Sequence, residues 1–239
     1  MWTRMDLKMR GREAFRRNYW SCVIVAFLMA LFTAATYKYN ITENSDSVSY
    51  SRQYSYSSVF DIAGLVGMIF TAFAALLAVI MAVVRVVVGY ALIVGGSRFF
   101  IANQTENASA GTIGYGFTCG SYGNIILTMF LRDLFTALWS LLFIVPGIIK
   151  SYEYRMIPYI LAENPGMNYK EAFQISKQMM YGQKMDVFVL DLSFIGWRIL
   201  ESITFGVVGL FYVEPYYQAT FAELYAETRA RAFSSGIIH

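Results

Sequence analysis

The sequence predicts an all-α fold: a polytopic transmembrane helix bundle with interfacial amphipathic helices, forming a single integral membrane domain over residues 1–239. Two observations indicate this class. Hydrophobic residues make up 57% of the 239 residues and charged residues only 15%, whereas a typical soluble domain carries about 25% charged residues. The apolar residues also collect into runs, several of which reach the roughly 20 residues that cross about 30 Å of hydrocarbon.

The N-terminal segment, residues 1–19, is basic, and its apolar or small residues recur near helical spacing. We expect a basic interfacial helix on an anionic membrane surface. The apolar run from Trp20 to Thr36 follows, and Ala34 and Ala35 leave open that it is a secretory signal. Because the run is longer than a typical signal core and more apolar runs come after it, we interpret it as an uncleaved first span.

Residues 37–58 are rich in Ser, Tyr and Asn and lack apolar periodicity, which predicts an extracytoplasmic loop. The next stretch, Val59 to Ile101, would be about 60 Å long as one helix, twice the thickness of the hydrocarbon core. We therefore end the second span near Arg85, which can snorkel, and place the remainder along the inner interface, where several glycines loosen it. Two spans in residues 59–101 remain an alternative.

The third span is predicted from Asn124 to Val145. Pro146 and Gly147 then form a turn signal that predicts a tight hairpin into a shorter fourth span, Ile148 to Ala162. A fifth span to about Glu201 and a sixth from Ser202 to Tyr225 form a second hairpin. The C-terminal half thus contains two helical hairpins, and the bundle has six spans.

Residues 163–186 are predicted to be a cytoplasmic amphipathic segment. Asn168 is a candidate N-cap, and the apolar side chains Phe173, Ile175 and Met179 separate from the polar ones on a helical wheel, which favours a helix in the membrane interface. With both termini cytoplasmic, twelve Lys and Arg residues fall in inner segments and only Lys38 and Arg52 fall outside. This distribution follows the positive-inside rule.

Seven ionisable residues inside the predicted spans are candidate site residues, because such residues are costly there and suggest function by default. Acids and bases are both present, which favours ion pairs that close the bundle over a polar pathway for a substrate or ion; both interpretations remain open. The candidate charge network consists of Arg132, Asp133, Glu153, Arg155, Asp191, Arg198 and Glu201.

A short pattern recurs in the third and fifth spans. The spacing D-L-x-x-x-x-W begins at Asp133 and again at Asp191. A parallel repeat of two hairpins would explain it, as would chance. The tyrosines near the predicted interfaces are interpreted as an aromatic belt: Tyr152, Tyr154, Tyr159, Tyr216 and Tyr217.

Several kinds of chemistry are disfavoured by composition. The single histidine is His239, which excludes His-dependent triads and argues against an imidazole metal site. Cys22 and Cys119 are expected at different depths, as free thiols. The net charge of +3 is too small to indicate nucleic-acid binding. We therefore expect no enzyme activity, no cofactor, no metal and no nucleic-acid partner.

Most of the chain resembles the bacterial membrane proteins grouped as domain of unknown function 975. The run LRDLFTALWSLLFIVPGIIKSYEYRM carries this resemblance most closely, and RNYW, IPYILAENP, AFQISKQMMYGQK, DVFVLDLSFIGW and VEPYYQATFAELY also match. The resemblance implies a bacterial polytopic membrane protein with no assigned activity. It therefore supplies no functional residues.

Three classes of function remain at this stage. The expected one is a non-enzymatic membrane scaffold or partner-binding protein in the bacterial cell membrane, with the lipid bilayer and another membrane protein as partners. The alternative is a carrier or channel for a small solute or lipid that uses the intramembrane charges. An intramembrane enzyme is the least favoured, because most designs need an internal histidine.

Overall fold

A computed structural model describes residues 2–42, 62–204 and 206–236, with side-chain surroundings for 2–30, 68–204 and 206–236. Within these residues the secondary structure is helical and contains no strand, which confirms the predicted all-α class. A 3-10 turn spans Ala110–Gly114 and a π-helical turn spans Gly209–Val213. The α-helices are α1 (Arg4–Arg17), α2 (Tyr19–Thr42), α3 (Ile62–Ala102), α4 (Tyr115–Thr118), α5 (Tyr122–Leu142), α6 (Ile144–Glu153), α7 (Ile157–Glu163), α8 (Tyr169–Met179), α9 (Lys184–Leu192), α10 (Ile195–Ile203) and α11 (Glu214–Ser234).

The chain forms two compact units, Met1–Ala30 with Tyr90–His239, and Leu31–Gly89. In the smaller unit, every side chain from residue 68 to 84 is exposed, and all of them are uncharged. The predicted loop, residues 37–58, falls in this unit. Helix α2 continues to Thr42, and the rest of the loop lies outside the described residues.

Two helices in the described part of the chain are long and apolar enough to cross a membrane, Met68–Ala102 and Tyr122–Leu142. This supports a membrane location, but the six-span bundle is not confirmed. The fourth, fifth and sixth predicted spans correspond to helices of only 7 to 10 residues and to the polar helix α11.

The predicted fourth span is divided in two. Helix α6 ends at Glu153, a turn follows, and α7 begins at Ile157. Residues 157–162 of α7 are buried, and α7 packs against α5 and α8. The second half of this apolar segment therefore forms protein core and has no face left for lipid.

The region of the fifth and sixth predicted spans is also interrupted. Helices α9 and α10 meet at a bend, Ser193–Phe194, where Phe194 is buried. The chain reverses after α10 near Gly206, whose φ of 86° suits glycine, and it returns through the π-helical turn to α11. Helix α11 packs along α1.

Helix α3 differs from its prediction. It continues without a break to Ala102, and its last part is buried in protein and does not lie along the interface. The glycines do not loosen this helix. A Cβ at Gly95 would lie 2.7 Å from the carbonyl carbon of Ile113 and would overlap its oxygen. Glycine is needed here because the 3-10 turn lies directly on the helix.

Helix α1 uses its small and apolar side chains to contact α11. Leu7, Gly11 and Phe15 are buried, and a Cβ at Gly11 would lie 2.8 Å from Thr220 Cα. Arg10 pairs with Glu223 at 3.5 Å and with Glu227 at 2.7 Å, both on α11.

Helix α8 begins at the predicted N-cap, where the side chain of Asn168 accepts a hydrogen bond from Lys170 N at 3.0 Å. The prediction that its apolar face lies in the membrane interface is wrong. Ile175 and Met179 are buried, and Phe173 packs edge-on against Tyr154. The same amphipathic pattern serves a membrane surface and a protein core, and here it serves the core.

In the C-terminal half α5 packs against α6, and α10 packs against the π-helical turn, but these segments do not have the bounds of the predicted spans. We call α5 and α6 the first hairpin, and residues 184–213 the second hairpin. The turn of the first hairpin lies at the extended residue Phe143, whereas the predicted turn residues Pro146 and Gly147 belong to the first turns of α6. Proline is tolerated there because the first N–H groups of a helix have no intrahelical partner. Gly147 lets the two helices approach, since a Cβ there would lie 2.6 Å from Ser140 Cα.

Candidate functional site

A charged centre joins the two hairpins. Arg155 lies in the turn after α6, and its Nη2 is 3.2 Å from Oδ1 of Asp191 on α9. Two tyrosines complete it, Tyr152 at the end of α6 and Tyr217 in the first turn of α11. The name charged centre refers below to these four residues.

Asp191 has three donors in this centre. The Tyr152 hydroxyl donates to Oδ2 at 2.8 Å, and the Tyr217 hydroxyl donates to Oδ1 at 2.7 Å. Arg155 is the third donor, and its Nη2 also contacts the Tyr217 hydroxyl. Burial raises the pKa of Tyr217; Arg155 opposes this shift and Asp191 adds to it. The phenol therefore stays protonated and can donate to the carboxylate.

Aromatic rings shield the ion pair from solvent. The guanidinium carbon of Arg155 lies 4.3 Å from the ring centroid of Phe221 and 5.7 Å from those of Tyr152 and Tyr217. About a quarter of each side chain stays accessible, 26% for Arg155 and 21% for Asp191. Cation–π contacts and partial desolvation both strengthen such a pair.

A second cluster surrounds Glu153, whose side chain is only 6% exposed. Lys150, on the same helix, lies at 2.6 Å, and Lys184 at the start of α9 lies at 2.5 Å. The Ser176 hydroxyl of α8 donates to the Glu153 carbonyl oxygen at 2.6 Å. This cluster ties together the first hairpin, α8 and α9.

Arg198 forms a third cluster. Its guanidinium is 3.2 Å from Glu201 on the same helix and 3.3 Å from Glu214 at the start of α11. It also lies 5.1 Å from the ring centroid of Tyr217. Tyr217 therefore links this cluster to the charged centre.

Arg132 and Asp133 form an ion pair with each other at 2.7 Å. Because they are neighbours on α5, this pair joins no two helices, although Asp133 also faces Tyr90 of α3.

The structure thus brings most of the seven predicted residues into inter-helix contacts. It also adds residues that the sequence assigned elsewhere. Lys150 and Lys184 were not part of the predicted network, although the i,i+3 spacing of Lys150 and Glu153 was a usable signal. Tyr152 and Tyr217 were assigned to an aromatic belt, and no spacing in the sequence marks them as donors to Asp191.

The arrangement is suited to holding helices together. Every carboxylate oxygen of Asp191 and Glu153 already accepts from at least one protein donor. Among residues 2–42, 62–204 and 206–236, no group of three or more His, Cys, Asp or Glu side chains is placed to hold a metal ion.

Comparison with known families gives a match over most of the chain. The family described as "Protein of unknown function (DUF975)" matches residues 7–232, nearly the whole chain. Neither a curated protein nor a solved structure matches the chain.

Proposed function

The chain belongs to the DUF975 family of proteins of unknown function, and we propose that it is a non-enzymatic membrane protein that binds or scaffolds partners. The observation that supports this proposal most directly is that Asp191 accepts from three protein donors, with both of its carboxylate oxygens engaged. A carrier or channel that used these ionisable groups would need them to exchange partners with a solute. Here the charges that join helices are already paired with protein groups.

The proposed location is the bacterial cell membrane, with the chain passing through it more than once and both termini cytoplasmic. The apolar helix α2 and the exposed apolar part of α3 are the proposed crossings. Helix α8 then lies on the cytoplasmic side. The polar face that it turns to solvent, which includes Lys170, Lys177 and Gln178, is the proposed docking surface for a protein partner.

The side of the membrane on which α8 lies can be measured directly. In a background with Cys22 and Cys119 replaced, we expect Gln178→Cys to be labelled by an impermeant maleimide only after cells are opened. The reason is that Lys170, Lys177 and Lys184 place residues 163–186 on the inner side under the positive-inside rule. Labelling in intact cells would contradict the proposed orientation.

The scaffold proposal is tested by photo-crosslinking in living cells. A photoreactive residue at Gln178 is expected to yield a discrete adduct with another protein. The matched control is Leu141, which is 86% exposed and apolar. A photoreactive residue at Leu141 is expected to crosslink only to lipid.

A carrier predicts a different set of results. Purified protein in liposomes would then move an ion or small solute, and Asp191→Asn would abolish the flux while the protein remained folded and monodisperse. Such a result, with no adduct from the exposed face of α8, would overturn the scaffold proposal.

A further inference from the structure

We propose that both hairpins are re-entrant: each enters only one leaflet of the membrane, from the side that holds α1, and returns to that side. This inference rests on the proposed membrane location and replaces four of the six predicted spans. The partner of the hairpin tips is the acyl-chain region of a single leaflet.

The hairpin arms α6 and α10 are much shorter than the bilayer is thick. Helix α6 has 10 residues and α10 has 9, so at about 1.5 Å per residue they are about 15 and 14 Å long. The hydrocarbon core is about 30 Å thick. The arms α6 and α10 therefore reach about the middle of the bilayer, and so does the uncharged end of α5, the 9 residues 134–142.

The hairpin tips have the surface that lipid requires. Residues 134–149 and 202–213 contain no Asp, Glu, Lys or Arg. At the first tip Leu141 is 86% exposed and Ile144 77%. At the second tip Ile203 is 68% exposed and Val207 58%. Contiguous exposed apolar surface of this kind marks a membrane or protein contact.

The bases of the hairpins are charged. The charged centre and the Glu153 cluster join the end of α6 to α9, the helix that leads into the arm α10. At the bend where α10 begins, the Lys8 ammonium of α1 donates to the Ser193 carbonyl oxygen at 3.1 Å and lies 4.3 Å from the Phe194 ring centroid. Burial, with repulsion from Arg12 and Arg4, lowers the pKa of Lys8.

The cost of burying these charges favours hairpins that enter one leaflet over hairpins that cross the bilayer. If the tips reached the far surface, the bases would lie near the bilayer centre, where charged side chains are costly. Such a placement would affect Arg132, Asp133, Lys150, Glu153, Arg155 and Asp191 together. With the tips at the centre, these six residues lie at headgroup level and this cost is avoided for them. Arg198 and Glu201 on α10 enter the leaflet, and there they are paired with each other.

An internal repeat indicates that the two hairpins enter in the same direction. Asp133 and Asp191 begin the repeated D-L-x-x-x-x-W pattern, and the structure extends the correspondence. A Pro-Tyr pair at the start of a helix follows 25 residues after Asp133, at Pro158 of α7, and 24 residues after Asp191, at Pro215 of α11. Each repeat is thus an apolar hairpin followed by a proline-initiated helix that returns to the protein core.

The test uses single cysteines at the tips, Ile144→Cys and Ile203→Cys, in the full-length Cys-free protein. In membranes, both are expected to resist an impermeant maleimide from either side, and both should react once the membrane is dissolved in SDS. A bimane label attached at each tip should be quenched more by lipids brominated near the chain ends than by lipids brominated near the headgroup. Gln178→Cys, which should react in opened membranes, is the matched control.

The labelling and quenching results distinguish a wrong hairpin topology from a wrong membrane location. Labelling of Ile144→Cys in intact cells would show that the first hairpin crosses the bilayer, and this would overturn the re-entrant topology but not the membrane location. If both tips react in opened membranes and alkaline carbonate extracts the protein, the tips lie in water and the membrane location itself is wrong. Stronger quenching by headgroup-brominated lipid would place the tips at a surface and also overturn the proposal.

Discussion

Replacement of Asp191 by alanine is expected to lower the free energy of unfolding by about 3 kcal/mol, because it leaves the Arg155 guanidinium without its carboxylate partner. This value is at the lower end for a buried pair, since about a quarter of each side chain is accessible. For a chain of this size, the melting temperature in detergent should fall by roughly 6–12 °C. Thermal unfolding of the purified full-length protein measures the effect.

The role of the Arg155–Asp191 pair is then tested by asking whether further substitutions restore the stability lost in Asp191→Ala. Replacing every polar partner with an apolar side chain of similar size removes the uncompensated charge and the unpaired hydroxyls together. Such replacements are often neutral or stabilising. Arg155→Met, Asp191→Leu, Tyr152→Phe and Tyr217→Phe combined should therefore be more stable than Asp191→Ala alone.

Asp186→Asn is the matched control, because Asp186 lies on the same helix and is exposed. It should change stability by no more than about 0.5 kcal/mol, the usual range for a surface substitution. If Asp191→Ala melts at the same temperature as the parent protein, the charged centre does not hold the hairpins together. A ligand role for Asp191 would then be the better interpretation.

The balance of acids and bases in the sequence predicted pairing, but it could not identify the partners. The set drawn from the predicted spans left out Lys150 and Lys184, and these two lysines are the ones that contact Glu153. Lys184 is 31 residues from Glu153 in sequence, and no periodicity connects them. Only the return of the chain through α7 and α8 brings them together.

Hydrophobicity predicted where apolar segments occur but not what covers them. In α8 the side chains of Ile175 and Met179 have the spacing expected for either a membrane surface or a protein core, and the structure places them in the core. Residues 157–162 are equally apolar and are also buried in protein. By contrast, residues 141–145 are exposed. The difference depends on long-range packing, which an apolar run alone does not specify.

Gly95→Ala is expected to destabilise the protein by about 1–3 kcal/mol or more, the cost of overpacking a tight contact. In an exposed helix the same change stabilises by about 1 kcal/mol, because alanine is the better helix former. The sign reverses here because the added Cβ would lie 2.7 Å from the backbone carbonyl carbon of Ile113 and overlap the oxygen. Backbone atoms cannot rotate away as a side chain can, so the 3-10 turn Ala110–Gly114 must move off α3.

A second close contact between α3 and residues 110–118 supports the expected destabilisation by Gly95→Ala. Gly116 on α4 meets the backbone of Ala91, four residues before Gly95 on α3, and a Cβ there would lie 2.8 Å from the Ala91 carbonyl carbon. We therefore expect Gly116→Ala to destabilise the protein in the same way. The double variant should be destabilised by less than the sum of the two single variants, because the turn has already moved in either one.

Gly123→Ala is the control, because nothing lies within 4 Å of a Cβ at Gly123. Its melting temperature should equal or exceed that of the parent protein. Equal melting temperatures for Gly95→Ala, Gly123→Ala and the parent would show that residues 110–118 do not pack on α3.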